Sequence, residues 1–203
     1  MSEEDIKVEE FRETDQQVEE VFGKKVARGL ISVQWQVKEM ALKIIFKTIE
    51  KQLQKEPDMI SEEDVVQYTK ASVAAVDQTS RDKVIKVFNL SLQIFSLLVS
   101  SGLVEQKALK VLKNSVLHER NIVHKLLLKS EEGNTRIATK IHEILLDFSF
   151  HPGVGEVHVA SFIVARLNQH SRALQQPSKD KDQTLGSPKG FLAQLALLYK
   201  FIN

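Results

Sequence analysis

The chain has 203 residues, of which 42% are hydrophobic, enough apolar material for one real core or one short repeat array. Its 28 basic and 27 acidic residues nearly cancel to a net charge of +1, which excludes a polybasic nucleic-acid binder; electrostatic recognition has to come from a local patch. The absence of cysteine excludes disulfides, thiolate metal sites and cysteine nucleophiles, and it suits the cytosol.

Residues 1–13 read as an acidic tail, opening Met1-Ser2-Glu3-Glu4-Asp5 without the basic-then-apolar order of a signal peptide. From there nearly every segment repeats its apolar residues at helical spacing. Val18, Val21, Phe22, Val26 and Leu30 predict a helix from about Thr14 to Leu30. Leu42, Ile45, Phe46, Ile49 and Leu53 predict a second from about Val37 to Gln54, ended by Pro57. Ser61, with Asp64 three residues on, opens a third as a weak capping box. The polar run Asp77 to Asp82 ends it. Lys83 to Ser100 is a fourth, with Val84, Phe88, Leu92, Phe95 and Val99 on one side, and Ser101-Gly102 stops it. The polar residues inside the uncharged run Val87 to Val104 make it a buried helix rather than a membrane span.

Glu105 to Leu128 is expected to hold two helical pieces broken near Asn114. Lys129 to Asn134 is a turn, and Thr135 to Phe148 a helix closed by His151-Pro152-Gly153. The valines of Val157 to Leu167 suit a strand, but the surrounding pattern makes it a helix. Residues 175–187 are polar and proline-containing and read as a flexible loop. Gly190 to Ile202 is a last helix, apolar almost all round, so the chain is expected to be a piece cut from a longer protein.

The helices thus fall in pairs, with intra-pair turns near Trp35, Thr79, Gly133 and Ser187. The first step between turns fits the roughly 40 to 47 residues of HEAT-type repeats, and the later steps are longer. A single helix pair cannot bury both its faces, so pairs stack and share a core. The expectation is all-α: an α-solenoid of about four HEAT-like helix pairs occupying 14–203, with its turns aligned along one edge.

Catalytic and metal signals are weak. His142-Glu143 begins like a zinc-protease motif, but position 146 is leucine. His118 and His124 share no helix face, Asn89-Leu90-Ser91 lies in an apolar helix, and no glycine spacing suits a phosphate. No enzyme, metal or cofactor is expected. The only tryptophan stands at a helix–helix corner. Trp35 there is either a packing plug, which Val33 and Val37 favour, or a partner's anchor, which Gln34 and Gln36 favour.

The motif Ser32-x-Gln34-Trp35-x-x-Lys38-x-x-Ala41-Leu42 resembles the first turn of TOG domains, the tubulin-binding HEAT arrays of microtubule polymerases and related proteins. Asp77-Gln78-Thr79-Ser80-Arg81-Asp82-Lys83-Val84 is similar to the family's polar second turn. Lys129 to Arg136 is similar to its third, and Ser187-Pro188-Lys189 would be a fourth. The resemblance covers four of the family's usual six repeats. It is strongest to the divergent TOG domains of centrosomal and ciliary-tip proteins and of a MAP kinase kinase kinase. Lys38 replaces the commoner arginine, and Glu131-Glu132 adds negative charge to the edge.

The resemblance implies a partner, αβ-tubulin, and no chemistry. It implies that Trp35 packs on an apolar spot, that Lys38, Lys83, Arg136 and Lys189 meet acidic surface, that Thr79, Ser80 and Asn134 hydrogen-bond, and that Gln34 belongs to the same tubulin-binding edge. It places the chain in the cytoplasm and cytoskeleton, at centrosome or cilium, as a monomeric domain of a larger protein, with neither nucleic acid nor membrane as partner. The alternatives are a HEAT-type interaction scaffold without tubulin binding, or a domain regulating an attached kinase or ligase.

Overall fold

A computed structural model describes residues 16–151, 155–175 and 188–202. They are helical throughout, apart from turns, and no helix among them is long and apolar enough to cross a membrane. The chain divides into two compact units, Met1–Arg120 and Asn121–Asn203. The expected acidic tail 1–13 lies outside the described residues, as does the expected loop from 176 to 187.

In the first unit the expected opening helix is two pieces, α1 (16–22) and α2 (Lys24–Leu30). Gly23 separates them at φ 87°, in the left-handed region that favours glycine. The ring of Phe22 on α1 packs 6.1 Å from that of Tyr68. α3 (Trp35–Leu53) turns Ala41, Leu42, Ile45 and Ile49 inward. A Cβ on Gly29 would come within 2.9 Å of the Ala41 Cβ, so α2 and α3 touch nearly backbone to backbone there.

A 3-10 turn (Pro57–Met59) leads to α4 (Glu62–Thr79). Ser61 caps it by accepting the Asp64 N–H at 3.0 Å, as the sequence predicts. α5 (Ile85–Val99) buries Phe88, Leu92, Phe95 and Val99, and packs on both α3 and α4. In the stretch expected to break near Asn114, the α-helix does end there, and a further break comes at Ala108. α6 (Gly102–Lys107) and α7 (Leu109–Asn114) are separated at Ala108, and a π turn (Ser115–Glu119) continues from α7. The clean stop comes at Asn121, left-handed at φ 49°, a conformation asparagine tolerates better than most residues. The Lys107 ammonium donates to the carbonyls of Pro57 and Ile60 at 2.6 and 2.7 Å, fastening α6 to the 3-10 turn.

The second unit holds α8 (Ile122–Ser130), α9 (Thr135–Ser149), α10 (Glu156–Gln175) and α11 (Pro188–Ile202). The valine-rich segment is the helix α10, and it runs eight residues past Leu167. α8 pairs with α9 and α10 with α11, and α10 also packs on α8 and α9. Asn134 caps α9 by accepting the Ile137 N–H. The apolar line Ile137, Ile141, Ile144, Leu145 and Phe148 is buried. These paired helices make the fold all-α and HEAT-like.

Candidate partner-binding corners

In the first unit the α2–α3 and α4–α5 turns meet. Gln34 occupies the N-cap position of α3 in extended conformation, and its N–H is accepted by the Ser32 hydroxyl at 3.1 Å. Its side chain is exposed. Trp35 is the first residue of α3 and is partly exposed, so it is neither sealed into the core nor free of it. Beside it Val33 is fully exposed. The Lys86 ammonium, from the first turn of α5, lies 5.2 Å from the centre of the Trp35 ring, within cation–π range.

Lys38 reaches across to Asp82, Nζ to Oδ2 at 2.8 Å, with both side chains largely covered. The other carboxylate oxygen of Asp82 accepts the Val84 N–H at 2.8 Å, so one side chain ends the second turn and ties it to α3. Asp77 is inside α4 and faces Arg120 at 3.9 Å, while Asp82 closes a two-residue turn just ahead of α5, which has no side-chain cap. Because Asp82 does two jobs, two variants separate them. Asp82→Asn should lose the charge but keep an acceptor, at a cost of about 0.5–1 kcal/mol, whereas Asp82→Ala should lose both, at about 1–2 kcal/mol. Urea melts that rank the two equally would show that the turn bond to the Val84 N–H contributes nothing.

Thr79 and Ser80 require a correction. α4 continues to Thr79, and both residues are buried. The Thr79 hydroxyl donates to the Ala75 carbonyl at 2.7 Å and lies 2.5 Å from the Ser91 hydroxyl on α5. That of Ser80 donates to the Asp77 carbonyl. They seal a helix end and leave nothing for a partner. Lys83 and Arg81 are exposed in the turn, and Ile85 is exposed at the start of α5.

In the second unit, Asn134 and Arg136 are exposed at the α8–α9 corner, although the Asn134 carbonyl oxygen is occupied by its capping bond. Lys189 lies in the first turn of α11, and its side chain is outside the described residues. The Glu131-Glu132 pair does not act as read from sequence. Glu132 is exposed and pairs with Lys129 at 2.6 Å, while Glu131 is buried. Arg166 of α10 grips the Glu131 carboxylate with two bonds, Nε to Oε1 at 2.9 Å and Nη2 to Oε2 at 2.7 Å. Gln194 of α11 donates to Oε1 at 2.9 Å, and His170 Nε2 lies 3.0 Å from the same atom. Of the negative charge expected on the edge, the Glu131 half is therefore folded inward and the Glu132 half is matched by Lys129 at the surface.

Sequence reading missed Lys86, Asp82 and this network. The network left one trace: Arg166 and His170 continue the core spacing of Val159 and Ile163 along α10, where polar residues are out of place unless paired.

Two solved structures share this architecture. One, titled "Structure of the TOG domain of human Cep104", aligns over all of this chain and 68% of its own with a TM-score of 0.64 at 19% identity. The other, titled "CEP104 TOG domain", aligns over all of this chain and 69% of its own with a TM-score of 0.61 at 18% identity. The fold is thus that of the TOG class of helix-pair arrays. No curated protein matches the sequence. The family described as "Centrosomal protein CEP104, TOG domain" matches residues 11–174, and the chain belongs to it. Of the two divergent TOG groups that the sequence resembles, the match selects the centrosomal one.

Proposed function

We propose that this chain binds the αβ-tubulin heterodimer through its intra-pair corners and links a larger parent protein to microtubules, at the centrosome or cilium. The observation that carries the reading is Trp35, a partly exposed indole held at the first corner beside the fully exposed Val33. A large ring at a rigid corner, with apolar neighbours and cations around it, has the make-up of an interface hot spot. Lys83 in the first unit, and Arg136 with Asn134 in the second, supply charge and polarity at their corners, suited to steering an acidic partner. Membership in a TOG family supports tubulin as that partner. The reading needs no reaction: the corners offer contact surface, and the chain acts by binding.

The scaffold alternative drew its support from the acidic pair at the third turn and from the missing repeats, and the burial of Glu131 against Arg166 weakens the first of these. Gel filtration of the chain with tubulin at micromolar concentration tests the proposal. The unmodified chain should co-elute, and Trp35→Ala should lose about tenfold or more in affinity. Its melting temperature should change by only a few degrees, since the ring is not fully buried. Equal silence of both proteins would end the tubulin reading. A collapse of the melting temperature in the variant would recast Trp35 as a packing residue.

A further inference from the structure

The family-like first turn places a basic residue, Lys38, three positions after the tryptophan, yet that lysine is committed elsewhere. Its ammonium is 2.8 Å from Asp82, and the pair is largely covered on both sides. The neighbouring α5 contributes a different cation. Lys86 is exposed, and its ammonium stands over the Trp35 ring at 5.2 Å. One turn before it Lys83 is exposed, and Ile85 between them is about half exposed. The nearest acidic residue on α3 is Glu39, which is bonded to Lys43 at 2.7 Å. That bond, with smaller contributions from the charges of Lys43 and Lys86, holds the Glu39 carboxyl below its ordinary range. Glu39 therefore already has a cation of its own, and among the described residues no ion pair ties Lys86 down.

We propose that Lys86, with Lys83, is the cation of this edge that a partner's carboxylates meet, that Lys86 also sets the attitude of the Trp35 ring, and that Lys38 is an internal tie. The contact half of this inference rests on the tubulin reading; the positioning half does not. Physically, an ammonium over one face of an indole fixes that face and leaves the rest of the ring for an apolar spot on the partner. The same ammonium keeps donors free for a carboxylate beside that spot. The partner this edge fits is an apolar patch bordered by acidic side chains.

Trp35 is the only tryptophan, so its fluorescence reports this ring alone. In the unbound protein, Lys86→Met should alter the emission and quicken acrylamide quenching, and Lys86→Arg should restore both, because a guanidinium also stacks on the ring. Unchanged quenching in Lys86→Met would overturn the positioning role. In tubulin titrations Lys86→Met should weaken binding about three- to tenfold, most at low salt, with Lys86→Arg within about twofold of the unmodified chain. Lys38→Met should lower the melting temperature while leaving the dissociation constant, measured well below the melt, within about twofold. If Lys38→Met weakens binding and Lys86→Met does not, the contact role is overturned. Silence of the unmodified chain toward tubulin overturns the proposed function and the contact role together. The fluorescence result then still decides whether Lys86 positions the indole.

Discussion

Glu131→Leu is expected to destabilise the second unit by about 3–5 kcal/mol, the usual cost of removing one partner from a buried ion pair. The wild-type carboxylate satisfies Arg166 at two points, and Gln194 donates to the same group. Arg166 is only 3% exposed, and its Nη1 donates to the neutral side-chain oxygen of Gln169 at 3.1 Å. With leucine at 131 the guanidinium keeps its desolvation cost and loses its counter-charge. For a chain of this length the loss corresponds to roughly 10 °C in melting temperature. Because there are two compact units, hydrogen exchange of α8 to α11 is the sharper measurement. The double variant Glu131→Leu/Arg166→Met should recover most of the loss, since an apolar pair of similar volume often replaces a buried ion pair without penalty. If Glu131→Leu melts with the unmodified chain, the carboxylate does not tie the α8–α9 turn to α10 and α11.

The same residue shows what sequence reading reaches. Helix pairs were legible because apolar residues recur at helical spacing and the stops are chemically marked: Ser61 and Asn134 cap as their residue types predict. The side of the chain on which a turn residue lies was not legible. Thr79 and Ser80 read as an exposed polar turn, but a hydroxyl also bonds a carbonyl one turn back, and here both do so inside the fold. Glu131 read as surface charge because its partner Arg166 is 35 residues away on another helix. Lys86 was passed over because its relation to Trp35 exists only once α3 and α5 are packed together. The breaks around the one at Asn114 were not legible for a related reason. No glycine or proline marks the π turn at Ser115–Glu119, and Asn121 ends the run only through its backbone conformation. Local chemistry therefore predicted the elements, and the corners depended on pairs distant in sequence.

Acid should weaken the second unit before its carboxylates titrate, and His142 is the reason. It sits on α9, nearly inaccessible, with Nε2 buried and without a hydrogen-bond partner among the described residues. Burial, helped by the positive charge of Lys200 on α11, pushes its pKa from 6.5 down to about 4. In the unfolded chain the imidazole takes up its proton near the ordinary value, so between pH 6.5 and about 4 the unfolded state binds more protons than the folded one. Stability therefore rises with pH across that window: it is fully present above 6.5, falls as the pH drops, and levels off below about 4. Between pH 7 and 5 the loss is at most about 2 kcal/mol, and water reaching the ring reduces it. His142→Leu is close in volume and has nothing to protonate, so it should melt at or above the unmodified chain at pH 7 and lose less on acidification. Thermal melts of both proteins at pH 7, 6 and 5 measure the difference directly, because every other titrating group is common to the two. Parallel pH profiles would show that the imidazole takes its proton inside the fold as readily as outside, and that α9 and α11 open enough at this point to hydrate it.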